Sequence, residues 1–132
     1  MTLQQEDKNA LIALRLQRAK ETMEELKVNV QLGFWRIAAN RLYYACFYAA
    51  SALLIKNNLT AHTHSGVITQ FGLHFVSTGL INKEQGKLLK QLYNLRQSGD
   101  YDDWFVIDEK DIIPFIEPTE KFITEIENQI YS

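Results

Sequence analysis

Four groups of side chains in this chain have types and spacing that could do chemistry. The densest is Leu95-Arg96-Gln97-Ser98-Gly99-Asp100-Tyr101-Asp102-Asp103-Trp104. An arginine fork binds a carboxylate or a phosphate through two parallel hydrogen bonds. Arg96 stands near a helix end, where the dipole favours a cation. Two roles weigh equally for it: pairing with Asp100 or Asp103 to pin the loop, or holding an anionic ligand. The second group is Asn40-Arg41-Leu42-Tyr43-Tyr44-Ala45. An arginine in so apolar a run must meet an anion or several carbonyls, because burying it unpaired is costly. A structural ion pair at the bundle end is favoured there over a phosphate or nucleotide contact. The third is His62-Thr63-His64, with His74 further on. Two histidines at i, i+2 can share a metal, but no HExxH-like spacing or nearby cysteine supports one. The expectation is no metal, with His64 opening a helix and His74 partly buried. The fourth is Cys46, set among Tyr43, Tyr44, Phe47 and Tyr48. A thiol buried there has a raised pKa and packs rather than reacts.

Composition bounds what can position these groups. The chain has 132 residues, which suits one domain over 1–132. Hydrophobic residues are 46% and charged residues 23%, which excludes a disordered chain. Six glycines and two prolines are too few for the turns of a β-sandwich. One cysteine excludes an internal disulfide framework and a multi-cysteine zinc site. No basic segment followed by an apolar run opens the sequence, so a cytoplasmic location is expected. The net charge of -2 hides an asymmetry. Residues 1–99 carry twelve Lys/Arg against six Asp/Glu, and residues 100–132 carry two against ten. A basic body suits phosphates, and an acidic tail repels or masks them. Most of these charges are expected to be solvated helix faces.

The elements read as helices. The first runs from about Leu3 to Leu32, with Thr2 and Gln5 as a capping box and Gly33 as a stop. Its stripe is Leu11, Leu14, Leu16, Ala19, Met23, Leu26 and Val30. The second runs from Phe34 to about Asn57 and is apolar nearly all round, which marks the buried central helix. Asn40, Arg41 and three tyrosines argue against a membrane span. The third covers about Ser65–Ser77, where Gly72 suggests close helix packing. The fourth runs from Asn82 to Ser98 and is expected to stop at Gly99, with Asp100–Ile107 irregular. The last follows Asp108, and Pro114 and Pro118 should kink it or delay its start. The result is an all-α, up-and-down bundle of about five helices.

Three stretches together resemble the HEPN domains, in particular the small stand-alone prokaryotic type. They are NRLYYACFYAASALL at 40–54, HSGVITQFGLHFVSTG at 64–79 and LYNLRQSGDYDDW at 92–104. With the helix order, the resemblance covers nearly the whole chain. It implies a helical bundle that dimerises through the motif-bearing helices. It implies links to ribonuclease toxins, toxin–antitoxin and defence systems, and nucleotidyltransferase partners, and no cofactor. Active members pair an arginine with a histidine four to six residues on, and cut RNA without a metal. Arg96 matches the arginine, but the corresponding later positions are Tyr101, Asp102 and Asp103.

That departure has chemical weight. Metal-free RNA cleavage needs a proton acceptor for the 2′-hydroxyl and a cation for the developing phosphate charge. A tyrosine phenol is a poor base at neutral pH, and clustered aspartates repel an RNA backbone. Two functional expectations follow. One is a non-catalytic module binding a nucleotide, RNA or a partner protein, with Asn40, Arg41, Tyr44, Arg96 and Trp104 as ligand-binding residues. The other is a metal-independent endoribonuclease with Arg96, Tyr101 and Asp100 as catalytic residues and His64 as an auxiliary group, if the fold brings it to Arg96. A purely structural bundle is the third possibility. An exposed aromatic patch at Trp35, Tyr43 or Trp104 would support self-association.

Overall fold

The computed structural model describes residues 4–132. Among them, five helices form an up-and-down bundle and no strand occurs. Helix α1 spans Gln5–Gln31, α2 Trp35–Lys56, α3 His64–Phe71, α4 Lys83–Tyr101 and α5 Glu109–Tyr131. None of them is long and apolar enough to cross a membrane.

Helix α2 is the axis of the fold and packs against each of the other four. Ala38, Ala39, Ala45, Ala49, Ala50 and Ala52 are fully buried along it. Their small side chains let neighbouring backbones come close. Tyr43 is also fully buried, so it belongs to the core and not to an exposed aromatic patch. Helix α1 lays Ile12, Leu16, Ala19, Met23 and Leu26 on this axis. Leu14, expected in that stripe, is exposed. Two residues turn a helix by about 200°, which puts Leu14 opposite Leu16. Gln4 is the N-cap of α1, and Thr2 lies outside the described residues.

Helix α3 starts at His64 because the Thr63 hydroxyl accepts the Gly66 N–H at 2.9 Å. It passes into a π-helical turn at Gly72–Val76, where the Ser77 N–H reaches back to Gly72 O. The close packing expected at Gly72 is absent, since a Cβ there would meet nothing within 4 Å.

Helix α4 does not stop at Gly99. It continues to Tyr101, and the irregular connection begins only at Asp102. Gly99 serves a close approach instead. A Cβ on it would lie 2.5 Å from Ile107 Cδ1 and 3.5 Å from Arg36 Cγ. Helix α5 starts directly after Asp108, which forms a capping box with Asp111. It runs unbroken through Pro114 and Pro118, so the prolines do not delay it. Both prolines lie on the exposed face, where water can serve the carbonyls they leave free. Buried Ile112 before them and Phe122, Ile123, Ile126 and Ile130 after them anchor the helix on both sides.

Candidate functional site

Three elements meet at the C-terminal end of α4. Tyr93, Arg96, Gln97, Asp100 and Tyr101 follow one another at i, i+3, i+4, i+7 and i+8, which is one face of a helix. Tyr43 and Tyr44 of α2 lie beneath this face, and His64, the first residue of α3, stands beside it. His64, Tyr93, Arg96, Gln97 and Tyr101 line one open cleft.

Arg96 is the centre of the cleft. Its side chain is only 15% exposed. The guanidinium carbon lies 5.4 Å from the Tyr44 ring centre, 5.9 Å from Tyr43 and 6.0 Å from Tyr101. Ring faces attract a cation without neutralising it. The charge is met by Asp100, whose Oδ2 is 3.2 Å from Nε. The Nε–H does not point at that oxygen, and it is buried with no hydrogen-bond partner among the described residues. Asp100 is therefore a charge partner that leaves a donor unsatisfied.

His64 is placed by a buried phenol. Tyr43 Oη and His64 Nδ1 are 2.7 Å apart. Burial, and secondarily Tyr44, raises the Tyr43 phenol far above its ordinary range, so it stays protonated and can bond either His64 tautomer. Burial first, and the Arg96 charge second, lower the His64 pKa from its usual value. The free cleft thus offers a guanidinium, an imidazole and the Tyr101 phenol.

Arg41 also lies against Tyr44, with its guanidinium carbon 5.5 Å from the same ring. Its Nε and Nη2 donate to Asn40 Oδ1 at 3.1 and 2.7 Å, and its Nη1 donates to Glu25 at 3.0 Å. The fold thus gathers Asn40, Arg41, Tyr44, Arg96, Asp100, Tyr101 and His64 at one end of the bundle. Trp104 does not join them. It is 95% exposed on the α4–α5 connection and lines neither cleft. His62 is exposed and His74 half-buried, each away from this site. Among the described residues, no three His, Cys, Asp or Glu side chains gather to hold a metal. Cys46 is buried, and burial pushes its thiol up to about 12.

Tyr93 and Gln97 were missed in the sequence. Gln97 Nε2 donates to Tyr93 Oη at 2.8 Å, which fixes the wall of the cleft. Their signal was the i−3 and i+1 spacing from Arg96 within the helix expected over Asn82–Ser98.

The HEPN domain profile matches residues 12–129. The chain belongs to the HEPN family. This HEPN chain is 36% identical to a protein of Thermotoga maritima named "UPF0332 protein", over 94% of each. It is 41% identical to "Putative toxin MJ0605" of Methanocaldococcus jannaschii, over 63% of this chain and 62% of that one. A second protein of that organism, "Putative toxin MJ0142", is 31% identical over 66% of this chain and 59% of its own length.

Proposed function

We propose that this HEPN chain binds RNA through a backbone phosphate held at Arg96. One observation carries the reading: a largely buried arginine, set on three tyrosine rings, has an unsatisfied Nε–H and only Asp100 as counter-charge. A phosphate oxygen would satisfy the guanidinium better than Asp100 does. The His64 imidazole and the Tyr101 phenol supply further polar contacts, and the Tyr101 ring supplies a stacking surface. Tyr43 occupies His64 Nδ1, and no histidine follows Arg96 in its own helix, which favours binding over cleavage. Fluorescence anisotropy with a labelled single-stranded RNA at fixed salt tests this. Arg96→Ala is expected to weaken binding about tenfold or more. Equal affinity in the variant would remove Arg96 from the function.

A second reading rests on the position of His64. No histidine follows Arg96 within its own helix, yet the fold brings one to the same cleft. A bound phosphate would raise the His64 pKa, and the imidazolium could then protonate a leaving oxygen. This reading is a metal-independent ribonuclease, in keeping with the toxin names of two relatives. It predicts RNA cleavage in EDTA that is lost in both Arg96→Ala and His64→Ala. Cleavage surviving both substitutions would place the activity elsewhere. In either reading the chain acts as a homodimer or beside a nucleotidyltransferase. Exposed Trp104 and Val106 offer apolar surface for such a contact.

A further inference from the structure

A second cleft adjoins Asp100, the charge partner of Arg96. Glu25 of α1, Arg36, Ile37, Asn40 and Arg41 of α2, and Asp100 of α4 line it. Asp100 ties the two clefts together, since it pairs with Arg96 on one side and forms the wall of this cleft on the other. Tyr44 ties them together again, because the guanidinium carbons of Arg41 and Arg96 both lie within 5.5 Å of its ring centre. Arg36 stands at the same wall, with its Cγ 3.5 Å from the place a Cβ on Gly99 would take. It is exposed and has no ion-pair partner among the described residues. Arg41 is the reverse case: it is oriented by Asn40 and Glu25, so its fork is held in place before any ligand arrives.

We infer that this cleft is a second phosphate subsite, in which Arg36 and Arg41 take the phosphate adjacent to the one at Arg96. The inference rests on the Arg96 reading and deepens it. The ligand it assigns is a strand carrying at least two consecutive phosphodiesters, not a mononucleotide. Two neighbouring phosphate subsites suit a single strand, in which successive phosphates alternate with bases that can stack on the exposed Tyr101 ring. Glu25 holds Arg41 and Asp100 holds Arg96 in the free protein, and the strand replaces these carboxylates. Two linked phosphate contacts raise affinity through effective concentration, and each adds to the salt dependence.

The experiment compares AMP with a fluorescein-labelled six-nucleotide oligoadenylate, each titrated at several salt concentrations. In the wild type the oligonucleotide is expected to bind about tenfold or more tightly than AMP. Arg36→Ala and Arg41→Gln are each expected to bring that ratio towards one. Each is also expected to flatten the salt slope for the oligonucleotide by about 0.7. Arg36 is exposed, so its variant will fold even if loss of the Arg41–Glu25 pair weakens the other. A wild-type ratio near one, or a ratio that neither variant changes, overturns the second subsite while leaving Arg96 in place. Failure of AMP and oligonucleotide alike to bind, with no effect of Arg96→Ala, overturns the Arg96 reading and the subsite with it.

Discussion

At the scale of single residues, the site is a contest over one arginine. Arg96 lies between Asp100, which meets its charge imperfectly, and His64, whose charge it suppresses. A nuclear magnetic resonance titration should therefore give His64 a pKa below the ordinary value of about 6.5. Arg96→Gln removes one of the two causes and should raise it. A value at or above the ordinary one in the wild type would contradict the burial described. The sign for stability follows directly. The folded-state pKa is the lower one, so the unfolded chain takes up the proton first, and His64 costs stability as pH falls below about 6.5. Removing the buried phenol tests the other partner. Tyr43→Phe should cost about 0.5–1.5 kcal/mol in chemical denaturation, the usual size of one such hydrogen bond. It should also narrow the gap between the His64 pKa and its ordinary value, because the ring loses the bond that holds it in place.

At the scale of elements, α4 decides how much of the site can be seen. The Arg96 motif and the helix start at Asn82 were legible in the sequence, because each is a local pattern. The helix end was not, because glycine at 99 reads as a stop by local rules. Its actual reason is tertiary: Ile107 Cδ1 comes too close for a side chain. Ending the helix at Ser98, three residues short of its true end, put Asp100 and Tyr101 in a loop, although both were still named beside Arg96. Alanine at 99 tests this directly. It gains helix propensity of about 1 kcal/mol, but it must displace buried Ile107. A net loss of about 1–2 kcal/mol is expected in Gly99→Ala. Ile107→Val in the same chain removes the Cδ1 in question and should return part of that loss in a double-mutant cycle. A Gly99→Ala chain more stable than the wild type would show that the close approach has no energetic weight. The prolines of α5 carry the same lesson. Local rules predict a break, and burial on both sides of the pair overrides it.

At the scale of the whole molecule, the bundle was legible because its central helix is apolar all round and the others carry one stripe each. Phe122 shows how that core is joined: it is fully buried on α5 and its ring lies 5.6 Å from that of Phe71 on α3. Phe122→Ala should cost about 3–5 kcal/mol and lower the melting temperature accordingly. A loss under about 1 kcal/mol would mean that the core relaxes around the cavity. The site was less legible because it joins residues from α2, α3 and α4 that are far apart in sequence. Nothing local ties His64 to Arg96; only the packing of α3 on α2 brings them together. Asp102 and Asp103 follow α4 directly, so the proposed strand would approach from the arginine side. The most direct measurement is therefore local: the His64 ring resonances followed while AMP is added to the wild-type protein. Binding at Arg96 should shift those resonances in a saturable way and raise the His64 pKa, because the phosphate charge offsets that of Arg96. Resonances that stay unmoved while AMP binds would place the ligand elsewhere and contradict the account.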